Sequence, residues 1–186
     1  GVFGGDTRFV SFYKLYINDE RWELLTSSPV SYYAARLHFA SPALTTEDGD
    51  IPAHSIGLAV TRTVGGGIHE DLDLMNYANL TVRFQLQIAL LSDFADLFEV
   101  KSHRFVRRGR TSTRWHATRS ELVTSYRNKD FRRRLIYRLE NSSSPPDFAN
   151  GRVVFEITLG PGEVWRTCAH YVLVDGARAR KPLYKC

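Results

Sequence analysis

The chain is poor in the residues that would signal several common chemistries. It has two cysteines, one methionine and no apolar run approaching the length needed to span a bilayer. Cys168 and Cys186 do not make a disulfide framework, and a reducing compartment, the cytoplasm, is the simplest setting for them. No signal peptide is visible. The nucleophile elbow G-x-S-x-G is absent, and neither cysteine sits in a recognisable reactive context. His69-Glu70 lacks the second histidine of a zinc-protease helix and lies in a strand pattern. His38, His103, His116 and His170 are scattered, which predicts ordinary surface or core roles. No metal site, no cofactor and no catalytic residue is therefore expected. The chain also lacks an initiating Met, which predicts a fragment of something larger.

Aromatic and β-branched residues are plentiful. Eleven Phe and nine Tyr favour a sheet protein over a helical bundle. A chain of 186 residues is most economically one domain and buries roughly 70% of its unfolded surface, so it needs no staples to fold. The clearest pattern runs from Leu80 to Val100. Val82, Phe84, Leu86, Ile88 and Leu90 share one strand face, with Thr81, Arg83, Gln85 and Gln87 on the other. At Ser92 the alternation stops. Phe94, Leu97 and Phe98 then fall at helical spacing, which predicts a single apolar turn anchored in the core. Asp93, Asp96 and Glu99 are left around its rim. These carboxylates suit capping and pairing with arginines, or a ligand site.

Along the rest of the chain, Phe9–Ile17 carries large side chains on both faces, predicting one strand covered on both sides. Trp22–Leu25 reads as its hairpin return, and Tyr32–Phe39 as another strand. Residues 41–53 are polar with two prolines and read as a loop. Its carboxylates Glu47, Asp48 and Asp50 lack the spacing of a calcium loop. Ile56–Val64 and Ile68–Met75 flank Gly65-Gly66-Gly67, the clearest hairpin, where glycine permits positive φ. Glu121–Tyr126 pairs with Arg133–Leu139, and Val153–Leu159 and Val164–Val174 complete the set. About a dozen short strands with Gly, Pro, Asn and Ser between them predict an all-β fold, an antiparallel sandwich of the supersandwich type with no helical layer.

Charge is uneven. Residues 101–140 hold thirteen Lys and Arg against Glu121, Asp130 and Glu140, a local balance of +10 in a chain of net +5. Such a patch fits either a nucleic-acid face or a surface that meets an acidic neighbouring domain.

Two segments carry a family likeness. Asp93-Phe94-Ala95-Asp96-Leu97-Phe98-Glu99-Val100-Lys101 resembles a signature of the N-terminal domain of glycogen-debranching-type enzymes. Gly1-Val2-Phe3-Gly4-Gly5-Asp6-Thr7-Arg8-Phe9-Val10-Ser11 resembles that domain's opening, and Tyr126–Asp130 is a third, weaker match. The resemblance implies an amino-terminal β-sandwich that precedes an α/α barrel carrying the general acid and base. It implies a domain that supports hydrolysis of α-glucan branches without performing it. The partners it implies are the catalytic domain of the same parent chain and an α-glucan, with no membrane and no nucleic acid. Asp6, Thr7, Arg8, Asp93, Asp96 and Glu99 become the candidate cleft or domain-interface residues. Gly4-Gly5 departs from the family, where larger or charged residues are common. Because the two motifs carry opposite charges, Arg8 is expected to pair with the Asp93–Glu99 turn. The competing reading is an independent module binding sugar or nucleic acid through Arg104–Arg138.

Overall fold

A computed structural model describes residues 1–46, 49–106 and 109–186. Glu47 and Asp48 of the acidic loop, and Arg107 and Arg108 of the basic stretch, lie outside the described residues.

The chain opens with a small hairpin, β1 (Val2–Gly4) and β2 (Thr7–Val10). It continues through β3 (Phe12–Ile17), β4 (Glu20–Arg21), β5 (Glu23–Ser31), β6 (Ala34–Ala40), β7 (Leu44–Thr46) and β8 (Gly49–Ile51). The long hairpin is β9 (Ile56–Gly65) and β10 (Gly67–Asn76), followed by β11 (Val82–Leu91) and a short helix, α1 (Leu97–Ser102). The remainder is β12 (Arg110–His116), β13 (Glu121–Asn128), β14 (Phe131–Glu140), β15 (Asp147–Ala149), β16 (Arg152–Leu159), β17 (Val164–Asp175) and β18 (Arg178–Arg180). Every paired strand runs antiparallel.

Two main sheets result. The larger has the order β12-β13-β14-β17-β10-β9-β6-β5, with β18 added to the end of β17. The smaller has the order β15-β16-β11-β3-β4. Side chains from both enter one apolar core. Val82, Phe84, Leu86, Ile88 and Leu90 of β11 are all buried there, as the alternation predicts. Phe155 of the small sheet meets Trp165 of the large one edge-on, with ring centroids 4.8 Å apart. The fold is all-β.

Several boundaries differ from the sequence expectation. Phe9–Ile17 is not one strand. The chain breaks at Ser11, whose N–H donates to the Leu91 carbonyl (2.9 Å), and passes from the terminal hairpin to the small sheet. Thr7 and Phe9 of β2 and Ile17 of β3 are buried, and Val10 is buried as well, next to the break. Residues 41–53 are not wholly loop, since β7 and β8 pair within them. Ser102–Ser120, rich in Arg, Ser and Thr and assigned no element from the sequence, contains β12, an outer strand of mostly polar side chains.

The turn after Ser92 also differs. Phe94 is buried, but Phe98 is 73% exposed. Asp96 is the N-cap of α1 with extended backbone (φ −69°, ψ 153°), so the helix begins after it. Phe94 lies before the cap at φ 53°. The carboxylates, and not the apolar spacing, set this helix boundary.

The Gly65-Gly66-Gly67 turn shows the predicted positive φ at Gly66, 74°. It does a second thing. A Cβ at Gly67 would lie 2.8 Å from the Pro182 nitrogen and press on the Tyr171 carbonyl. The glycines thus admit the C-terminal segment, which is fastened by the Leu183 N–H to the Gly65 carbonyl (3.0 Å).

Candidate functional site

The opening hairpin and the segment after β11 fit together through their backbones. Arg8 N–H donates to the Ala95 carbonyl (2.9 Å), and Leu97 N–H donates to the Asp6 carbonyl (2.8 Å), with Thr7 bridged to Asp96 between them. The two segments singled out in the sequence are therefore one structural unit. Arg8 crosses the junction and forks onto Asp93, Nε to Oδ1 at 3.1 Å and Nη2 to Oδ2. Its side chain is 16% exposed and that of Asp93 35%. The Arg8 partner is Asp93 alone among the three acids, because Asp96 and Glu99 are committed to the helix start. Asp96 Oδ1 accepts from Phe98 N–H (2.7 Å), and Glu99 Oε2 accepts from Asp96 N–H (3.1 Å), a capping box.

An open cleft of about 650 Å³ runs along this junction. Asp6, Thr7, Asp96 and Glu99 line it, so four of the six expected residues share one concavity, while Arg8 and Asp93 sit in the pair beside it. The cleft also contains residues the sequence did not mark. Thr7 is buried, and its hydroxyl accepts from Arg133 Nε (3.4 Å). Arg133 is in turn paired with Asp175 and lies over the Phe131 ring, 3.9 Å from its centroid. Phe94, Tyr126 and Phe131 form a continuous aromatic wall, with centroids 5.8 Å and 5.9 Å apart. A signal was present in the Tyr126–Asp130 match, which delivers Tyr126 and Asn128 to the lining. Arg133 and Asp175 come from distant strands that only the sheet register brings together.

A second polar assembly lies between the sheets. Glu70 is fully buried, on the same face of β10 as Leu72 and Leu74. Tyr13 of the small sheet donates to its Oε1 (2.7 Å), Tyr171 of the large sheet donates to the same oxygen (2.9 Å), and Arg62 Nε reaches Oε2. Arg62 also stacks over the Tyr13 ring at 4.4 Å. Burial, then the Glu70 charge, pushes the Tyr13 and Tyr171 hydroxyls well above the ordinary tyrosine range. Burial would lower the Arg62 pKa, but the adjoining Glu70 outweighs it, and the guanidinium stays charged. The Tyr137 hydroxyl, buried against Tyr171, has no partner of hydrogen-bond geometry. Glu70 was legible as an acid at an inward-facing position of an apolar strand.

Comparison with known proteins agrees with the joined motifs. Residues 1–170 match the family described as the N-terminal domain of (some) glycogen debranching enzymes. The chain belongs to this family. As a debranching-enzyme N-terminal domain it carries both family-like segments and the cleft between them inside the matched span, apart from Asp175. No curated protein sequence matches the chain. Among solved structures, "Crystal Structure Analysis of HI1317" is similar at 12% identity with a TM-score of 0.34, over 81% of this chain. The aligned part spans 64% of that protein's length.

The cysteines depart from expectation. Cys168 and Cys186 are joined in a disulfide with Cα atoms 5.7 Å apart, where the sequence pointed to thiols. Their sequence separation says nothing of their proximity, which comes from the path of the C-terminal segment across the sheet. The candidate metal grouping among the described residues is also here, with His69 and His170. The histidines that looked scattered face each other across β10 and β17. No helix among the described residues is long and apolar enough to cross a membrane.

Proposed function

We propose that this domain is a non-catalytic accessory unit of a cytoplasmic glycogen-debranching-type glucosidase, a glycoside hydrolase whose chemistry resides in a separate catalytic domain. It packs on that domain and shapes one wall of the α-glucan cleft. The observation that carries this reading is the interlock of the two family-like segments around one open cleft with an aromatic wall and carboxylate rim. Aromatic faces suit the C–H faces of a sugar, while Asp6 and Asp96 offer acceptors to its hydroxyls. Phe98 and Val106 on the cleft lining, with Phe105 next to Val106, are exposed apolar side chains, which suits contact with a neighbouring domain.

The carboxylates here are occupied in ways that suit positioning over acid–base catalysis. Asp96 and Glu99 cap a helix and Asp93 holds Arg8. Hydrolysis needs two carboxyl groups disposed about the scissile bond. The test is release of glucose from maltooligosaccharide or branched dextrin. The expected result is no turnover by these 186 residues alone and turnover when a catalytic domain is supplied. Activity of this chain alone, abolished by Asp96→Asn in a folded variant, would overturn the assignment.

One observation favours a binding module for anions. Arg110, Arg127 and Arg132 stand directly opposite one another across β12, β13 and β14. Like charges in register oppose sheet formation, which suits a surface that meets negative charge. Titration with DNA at rising salt distinguishes this, because phosphate contacts lose affinity steeply with salt and neutral glucan contacts do not.

A further inference from the structure

We propose that His69, Cys168, His170 and Cys186 form a Cys2His2 site for a zinc-class divalent cation when the two cysteines are reduced. One ligand atom from each residue lies within 4.8 Å of all the others. His69 Nε2 is 3.2 Å from Cys168 Sγ, and His170 Nε2 is 3.4 Å from Cys186 Sγ. A tetrahedral zinc ion, with Zn–S near 2.3 Å and Zn–N near 2.0–2.1 Å, holds sulfur and nitrogen about 3.5 Å apart. Two of the four imidazole–sulfur distances are thus already close to those of a metal site. Two thiolates and two imidazoles are the soft, tetrahedral donor set that selects zinc over harder ions.

The site is built by the register and by the tail. His69 and His170 are direct cross-strand partners, and Cys168 stands opposite Asp71 in the adjacent pair. Their side chains occupy the sheet face opposite Glu70 and Ala169, which point into the core. The fourth donor arrives on the C-terminal segment, held by the Gly66–Pro182 bridge and the Leu183–Gly65 hydrogen bond. Cys186 and the segment that brings it lie beyond the residues matched to the family. Outer support is present at His170, where Glu140 Oε1 is 3.6 Å from Nδ1, the nitrogen away from Cys186. A carboxylate behind a ligating histidine orients the ring and raises its basicity. Asp71 Oδ1 is 3.0 Å from His69 Nε2, the nitrogen that also faces Cys168, so zinc takes the place of that contact.

The disulfide and the ion are exclusive states. A dithiol or phosphine reductant supplies two electrons, and with two protons the S–S bond becomes two thiols. Zinc then takes both sulfurs as thiolates and the two protons leave to solvent. The sulfurs separate to about 3.8 Å, the edge of a tetrahedron with 2.3 Å bonds.

The experiment uses the full chain, reduced anaerobically with a phosphine, desalted, and loaded with Zn(II) or Co(II). Expected are one zinc per chain, a tetrahedral cobalt spectrum with thiolate-to-cobalt charge transfer, and no retention by the disulfide form. Cys186→Ser and His170→Gln should each weaken zinc binding by at least tenfold, and Glu140→Gln by tenfold to a hundredfold at most. Circular dichroism in EDTA checks that each variant keeps its strand content. No retained zinc in the reduced chain, an octahedral cobalt spectrum, or affinity unchanged in both ligand variants would overturn the proposal. The cobalt spectrum of the unsubstituted chain decides the matter even where a variant fails to fold.

Discussion

Two arginine–carboxylate assemblies in this domain have similar chemistry and different surroundings. Arg8 and Asp93 meet at an edge, where the acid is 35% exposed. Arg62 and Glu70 meet between the sheets, where the carboxylate is fully buried and two tyrosines share one of its oxygens. At the edge, water can replace a lost partner. Between the sheets water reaches Arg62, 33% exposed, but not the Glu70 carboxylate, so the interior assembly couples the sheets more tightly while the edge assembly mainly fixes local geometry. The interior group binds Tyr13 of one sheet to Glu70, Arg62 and Tyr171 of the other. The edge group fastens a hairpin to a helix start beside an open cleft.

The sharpest way to break this contrast is Glu70→Ala. It strands the Arg62 guanidinium and two buried hydroxyls, and is expected to cost about 3–5 kcal/mol in urea denaturation. A loss below about 1 kcal/mol would mean that water reaches the site.

The next effect is alkaline. Tyr13, Tyr137 and Tyr171 have hydroxyl pKa values raised by burial above the ordinary 10.0. Above that value the unfolded chain releases these protons while the folded chain keeps them. Stability is therefore complete below pH 10 and falls as pH rises through the raised values. The expected slope is about 1.4 kcal/mol per pH unit for each tyrosine fully ionised in the unfolded state. Denaturation at stepped pH should show the fall, and Tyr13→Phe should make it shallower.

At the edge, Arg8→Ala and Asp93→Ala are expected to cost about 1–2 kcal/mol each, between the values for exposed and buried pairs. A double-mutant cycle should find them coupled. Asp96→Ala should cost about 1 kcal/mol through the lost cap, with no coupling to Arg8. Coupling of Arg8 to Asp96 instead would contradict the assigned partner.

The smallest effect lies on the basic face. Arg132→Thr relieves the opposition to Arg127 and should stabilise by about 0.2–1 kcal/mol at low salt, less as salt screens the pair. A destabilisation that persists in high salt would show that Arg132 has a packing role.

The family-like edge was legible because its information is local. Asp96 and Glu99 sit at capping-box spacing, and the strand before them alternates apolar and polar residues from Val82 to Ile88. The pairing of Arg8 with the acidic turn followed from charge alone, although which acid it takes depends on where the helix starts. The Glu70 assembly and the His69–Cys168–His170–Cys186 cluster could not be read this way. Their members are separated by up to 158 residues in the first and 117 in the second, and apart from Glu70 each looks ordinary beside its own neighbours.

The sequence by itself determined the all-β class, the inward face of β11, the long glycine hairpin and the capped turn, because strand parity and capping act over a few residues. Tertiary structure decided what those strands bring together. Antiparallel register set His69 against His170, sheet packing lowered Tyr13 onto Glu70, and the glycines of one turn let a distant segment lay Cys186 beside Cys168. These are contacts between chain segments whose meeting depends on the free energy of the whole fold, and no local pattern encodes that.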